Sequence, residues 1–410
     1  MDQHRITVLD NGLTVATEHV PGARSVAIGA WVGIGARDEP GELGGVGHFL
    51  EHALFKGTAT RSARDIASLV EAVGGDVNAF TAKEYTAFYC RLPASHLALG
   101  FEVLGDLLVR AELRDDDVES ERHVILEELA MDDDSPEDVV HRVLAELVFA
   151  SHPLGRDTAG SIETVSAITP DALRAWFAER YRPDVMVLSV AGKIDHDHAV
   201  EAAQGAFGHM ESGSGRPRRA APPVMGPAEV AVDDDTEQVH LALGMRAPAR
   251  EHPDRAALDV LAHVVGGGPA SRLFDSIREQ RGLAYSVYCA TSAYDDAGAL
   301  TVYAGTGREH LDELRLLVDE ELAAVAARGI EPAELAVASG YLCGSYELGL
   351  EDPGARMSRL GAQLVTTGRV RPVDEQLARW AAVSLADVAR LAAELLGGHR
   401  VTAVVGPAAT

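Results

Sequence analysis

Residues 167–192 read A-I-T-P-D-A-L-R-A-W-F-A-E-R-Y-R-P-D-V-M-V-L-S-V-A-G, and residues 382–406 read A-V-S-L-A-D-V-A-R-L-A-A-E-L-L-G-G-H-R-V-T-A-V-V-G. Each stretch predicts a helix followed by a strand. Thr169 and Ser384 have the short oxygen-bearing side chains that cap a helix start, and Gly192 and Gly406 close the apolar β-branched runs. The caps are 215 residues apart and the glycines 214, so one supersecondary unit is used twice. A second correspondence agrees with this. Strand Val26–Val32, an acidic Pro-containing turn and a helix around His48 parallel strand Val239–Met245, the turn at Pro253 and a helix over Ala256–Val265. Between His209 and Glu229 the sequence loses all apolar periodicity and reads as Gly, Ser, Pro and Arg, which is linker chemistry. The expected fold is therefore α+β. Two tandem similar domains, residues 1–212 and 229–410 with a linker at 213–228, each form a mainly antiparallel sheet with helices packed on one face.

Composition supports that size. A chain of 410 residues, 47% apolar and 24% charged, is an ordinary globular protein too long for one typical core. Its net charge of −27 argues against nucleic acid and anionic membranes, where attraction to phosphate dominates. The short acidic runs Asp115–Asp117, Asp132–Asp134 and Asp233–Asp235 read as solvated loops and helix starts. Three widely separated cysteines, Cys90, Cys289 and Cys343, suggest a reducing compartment rather than a disulfide framework. With no apolar stretch of membrane length and no signal-type segment, a cytoplasmic location is expected.

Within the first half, His48-Phe49-Leu50-Glu51-His52 carries the clearest chemistry. At 100° per residue, Glu51 and His52 fall within about 60° of His48, so the three side chains share a helix face. Two neutral imidazoles suit a zinc-type ion, and a carboxylate held off the metal can deprotonate a water. Chance yields roughly 0.05 such H-x-x-E-H pentads in a chain of this length and composition, so the pattern carries information. Gly41, Gly44, Gly45 and Gly47 precede it, but no Gly-Lys-Ser/Thr follows, which excludes a phosphate loop.

Two histidines leave a catalytic metal short of a ligand. Residues 117–131 predict a helix on which Glu121 and Glu128, seven apart, share a face, while Glu127 points about 120° away. Geometry alone does not choose among these glutamates. Asp195-His196-Asp197-His198 also has ligand types, but it follows a strand and opens a helix, where aspartate serves as a cap. No Ser/His/Asp triad or nucleotide fingerprint stands out.

H-F-L-E-H-A-L-F-K-G-T from His48, G-G-D-V-N-A-F-T-A-K-E-Y-T from Gly74 and E-S-E-R-H-V-I-L-E-E from Glu119 together resemble the pitrilysin/insulinase family of zinc peptidases, family M16. The likeness is to its small two-domain branch, which includes the mitochondrial processing peptidases. In that family a third ligand lies about 76 residues after the second histidine, the position of Glu128. The resemblance implies one Zn2+ per chain on His48, His52 and Glu128, with Glu51 as general base and Glu121 supporting the ligands from behind. It places Asn78 and Ala79 on a sheet edge that takes the peptide substrate. It also assigns Arg278 and Tyr285, beyond the Gly266-Gly267-Gly268-Pro269 loop, to substrate binding and to the oxyanion, with Arg281 as a nearby decoy. Because both elements occur in one chain, the resemblance implies a homodimer whose active site is shared between copies. The implied function is a metalloendopeptidase acting on peptides or unstructured leader segments. The alternatives are a non-catalytic docking subunit, or a catalytic subunit that needs a different partner chain.

Overall fold

A computed structural model describes residues 4–407. They form two compact units. One takes the chain up to Leu129 together with Asp157–Arg219 and Leu348–Pro372; the other takes Ala130–Arg156, Ala220–Glu347 and the chain from Val373 on. Of the helices, α1 (Val46–Leu54) and α2 (Asp115–Asp133) carry the expected ligands, and α3 (Pro136–Phe149) follows them. Helix α4 (Arg255–Gly266) is the second-half counterpart of α1, and α5 (Pro353–Thr367) lies near the end of the chain.

The first unit is built on strands β1 (His4–Val8), β2 (Thr14–His19), β3 (Ser25–Val32), β4 (Asp76–Thr81), β5 (Thr86–Pro93) and β6 (Met186–Gly192). Their order across the sheet is β1-β2-β6-β3-β5-β4. The second unit uses β7 (Ala228–Asp233), β8 (Gln238–Ala247), β9 (Ala284–Ala293), β10 (Gly298–Gly307) and β11 (Val401–Gly406), in the order β7-β11-β8-β10-β9. Both sheets are antiparallel except for one parallel pair each, β2 with β6 and β7 with β11. The α+β class and the repeated unit are therefore as the sequence predicts, and among the described residues the second sheet has no counterpart of β1. Thr169 and Ser384 cap the matching helices by accepting from Ala172 N and Asp387 N.

Two features depart from the expectation. First, the units are not the continuous stretches 1–212 and 229–410, because each takes a helix from the opposite half of the chain. Second, that helix covers the sheet face expected to be bare. In β3 the period of two sends Val26, Ile28, Ala30 and Val32 into the main helical core, and Ala27 and Trp31 to the other face. There Met357, Leu364 and Val365 of α5 pack on Ala27, Trp31 and Val187. A Cβ on Gly361 would overlap the Trp31 ring, so only glycine lets α5 approach this closely. In the second unit α3 plays the same part, with Val140, Leu144 and Val148 against Ala242, Ala403 and Val405. Burying such side chains contributes about 1.5–3 kcal/mol each.

Polar pins fix both helices. Glu18 on β2, 1% exposed, accepts from Arg359 Nη2 at 2.8 Å and also bonds Arg356, both on α5. His141 Nε2 of α3 lies 2.6 Å from the Tyr288 hydroxyl on β9. Truncating one member of a buried pair leaves the others charged and unmatched, at about 3–5 kcal/mol. Glu18→Ala is accordingly expected to lower the urea unfolding midpoint by that equivalent; an unchanged midpoint would show that the pair does not hold α5.

The expected linker has no regular structure up to β7, but its first part is anchored. Gly213 N and Gly215 N donate to Asp184, and Arg219 bonds Asp38 and the Glu84 carbonyl. No helix among the described residues is long and apolar enough to cross a membrane.

Candidate metal centre and its surroundings

Helix α1 is positioned by its apolar side. Val46, Phe49, Leu50, Ala53 and Leu54 are buried, which leaves His48, Glu51 and His52 on the opposite face. Its start is held by a carboxylate that sequence reasoning missed. Glu39, 4% exposed, accepts from Gly45 N at 2.7 Å and from Gly47 N at 2.8 Å, satisfying amides that have no partner within the helix. A capping box places its acid three residues into the helix, whereas Glu39 lies upstream of it, so no sequence pattern announces it. Gly45 has φ +88, a left-handed conformation, and a Cβ there would strike the Ala159 carbonyl. This strained, close approach explains a glycine of the cluster that resembled a phosphate loop.

Helix α2 buries Val118, Ile125 and Leu129 and turns Glu121 and Glu128 toward α1. Glu128 Oε2 lies 3.7 Å from His48 Nε2 and 3.6 Å from His52 Nε2. Although the Glu128 side chain is 45% exposed, this oxygen is shut off from solvent and has no hydrogen-bond partner. The three ligand atoms lie within 4.8 Å of one another. Tetrahedral ligands about 2.0–2.1 Å from one zinc ion are themselves roughly 3.3–3.5 Å apart, so the set fits such an ion with little movement. An orphaned, solvent-free carboxylate oxygen aimed between two imidazoles is costly unless a cation belongs there.

Glu121 lies beside His52. Its Oε2 lies 3.2 Å from His52 Nδ1, and Lys56 Nζ donates to its Oε1 at 2.6 Å. Because a carboxylate only accepts, the proton belongs on Nδ1, and Nε2 presents its lone pair toward Glu128. Lys56 stands one turn beyond His52 on the same face, a signal that spacing could have supplied. His48 Nδ1 has no such partner among the described residues. Burial, then the neighbouring His52, lowers the His48 pKa, partly opposed by Glu128 and Asp157, a shift toward the neutral ring that a ligand needs. Burial raises the Glu51 pKa, opposed by hydrogen bonds from Thr81. Such a lift brings a carboxylate closer to the range useful for a base near neutrality.

Asn78 and Ala79 lie on β4, which pairs with β5 only and so forms a sheet edge. Asn78 Oδ1 accepts from Ala79 N at 2.8 Å, so a side chain covers that amide. At the end of the same strand, Thr81 donates its hydroxyl to Glu51 Oε2 at 2.6 Å, a contact not foreseen from sequence.

In the second unit, Arg278 and Tyr285 meet each other. Arg278 donates to the Tyr285 carbonyl at 2.8 Å and lies over the Tyr285 ring, 4.6 Å from its centroid, while Tyr285 is 79% exposed. The sequence after the Gly266–Pro269 loop predicts one helix over residues 271–285, but the two do not share a helix. Phe274–Glu279 is a π-helical turn, Gly282 takes φ +63, and Tyr285 is the second residue of β9. Arg281 instead donates to the Ser276 carbonyl of its own turn.

The other candidate ligands fall away. His196 has both ring nitrogens 2.8 Å from hydroxyls, those of Thr7 and Thr17, and Asp195 caps its helix by accepting from His198 N. Among the described residues, His48, His52 and Glu128 are the one group of three arranged to hold a metal.

Both halves of the chain match known family models. Residues 14–161 match the family model described as insulinase, peptidase family M16, and residues 167–339 match the one described as the peptidase M16 inactive domain. An uncharacterized zinc protease of Mycobacterium leprae is 44% identical over 98% of this chain and 92% of its own length. An uncharacterized zinc protease of Bacillus subtilis is 38% identical over 97% of both chains. Among solved structures, a protease from Helicobacter pylori has the same fold, with a TM-score of 0.94 at 21% identity over 99% of this chain and 100% of that one.

Proposed function

The chain belongs to the insulinase family of metallopeptidases, M16, in its small two-domain form, and from that membership we propose that it is a zinc-dependent endopeptidase acting on peptides or unstructured leader segments. The observation that carries the reading is the bare, solvent-free Glu128 Oε2 set 3.6–3.7 Å from two imidazole nitrogens, with Glu51 on the same helix face. A zinc ion held there supplies Lewis acidity, acidifying a water and polarising a carbonyl. Glu51 takes the proton of the attacking water and later passes it to the leaving amine. Lys56 and Glu121 hold His52 in one tautomer and orientation. The free edge of β4 binds an extended peptide by backbone hydrogen bonds, so recognition depends little on sequence and demands an unfolded substrate.

In this reading two copies pair, and Arg278 and Tyr285 of one copy donate to the developing oxyanion at the zinc site of the other. Support comes from their mutual contact and from the exposure of Tyr285. The enzyme works in the cytoplasm, a setting in keeping with three free cysteines, two of them buried. Retention of all three ligands and the base favours catalysis over a docking role.

Mass spectrometry of a peptide library tests this proposal. The expected products are internal cleavages that vanish with a zinc chelator and return with added Zn2+. Cleavage that survives complete zinc removal would refute the mechanism.

A further inference from the structure

Glu51 stands on a helix fixed by its apolar side, but its carboxylate is oriented from the sheet. Along β4, Val77 and Ala79 pack on the same core as α1, and Thr81 continues that alternation. The Thr81 hydroxyl donates to Glu51 Oε2 at 2.6 Å, at the end of the edge proposed to take the peptide. A glutamate's terminal torsion is broad and roughly two-fold, so a free carboxylate would present either oxygen over a wide range of angles. This short charge-assisted hydrogen bond acts beside one from the Thr81 backbone, and together they remove that freedom.

We propose that Thr81 is a positioning residue for the base: its hydroxyl fixes Glu51 Oε2, so that Oε1 receives the proton of the attacking water. The O–H of Thr81 is retained throughout; one O–H bond of the water breaks as the new one forms at Oε1. Since β4 carries both Thr81 and the backbone groups that pair with substrate, the base is set relative to the peptide through a single strand. This role rests on the peptidase reading above.

Thr81→Val keeps the shape and the backbone contact and removes the hydroxyl donor, whereas Thr81→Ser keeps that donor. With zinc content measured on each protein, steady-state hydrolysis of one peptide should show kcat for Thr81→Val reduced about 10- to 100-fold, the loss expected for a hydrogen bond to a charged group. KM and zinc content should stay within about twofold of the parent, and Thr81→Ser should recover most of kcat. A merely structural role would instead lower zinc content or raise KM, and either result overturns the proposal. So would equal losses in both variants, or an undiminished kcat in Thr81→Val, and these leave the peptidase reading standing. If the parent protein shows no chelator-sensitive hydrolysis, that reading fails and the role of Thr81 fails with it.

Discussion

Glu51→Gln is expected to lower kcat by about 10²- to 10⁴-fold, the range a positioned general base contributes, while zinc binding is unchanged. Glutamine has nearly the same shape, and its amide oxygen still accepts from Thr81, so neither α1 nor the edge strand should move. The ligand atoms His48 Nε2, His52 Nε2 and Glu128 Oε2 are untouched. What disappears is the group able to take a proton. Measuring kcat beside zinc stoichiometry separates the two functions of the pentad. An active Glu51→Gln protein would assign the base elsewhere, and a zinc-free one would mean that Glu51 is a ligand.

Glu128→Gln should have the opposite profile. Replacing an outer-shell partner of a metal site commonly weakens affinity by 10- to 100-fold, and removing a charged ligand should exceed about 100-fold. Activity then falls with zinc occupancy and returns in part at high zinc. Stability gives a second readout. A ligand that binds only the folded state stabilises by RT ln(1 + [L]/Kd), about 4 kcal/mol at a thousandfold excess over Kd. The parent should therefore gain thermal stability from zinc, and Glu128→Gln little at the same concentration. Without metal the order can reverse, because Glu128 Oε2 is shut off from solvent with no hydrogen-bond partner and neutralising it relieves that cost. A metal-free Glu128→Gln protein at least as stable as the parent would mark this residue as kept for chemistry rather than folding. A full zinc response in the variant would remove Glu128 from the ligand set.

The candidate metal site is legible because its information is local. His48, Glu51 and His52 are related by helical spacing, and Glu121 and Glu128 share a face by the same rule, although only resemblance selected Glu128 as the ligand. The duplication was legible from caps, strands and closing glycines, which recur wherever the same local geometry is used. What escaped depends on contacts between distant segments. The patterns of residues 136–149 and 353–367 show that each helix buries a face, but not that the buried face meets the sheet of the opposite half. Glu39 reaches the start of α1 from upstream, and Thr81 meets Glu51 from another element 30 residues away. A helix after the Gly266–Pro269 loop would carry Tyr285, but Gly282, in a left-handed conformation, turns the chain into β9 first. In each case tertiary contacts, rather than local pattern, decide where the segment goes.

The central claim, that one zinc ion on His48, His52 and Glu128 drives peptide hydrolysis, is tested most directly by titrating Zn2+ into metal-stripped protein while following cleavage of an unstructured peptide. Activity should rise from zero and break to a plateau at one equivalent per chain. Full activity in the stripped protein, or a rate indifferent to added zinc, would contradict it.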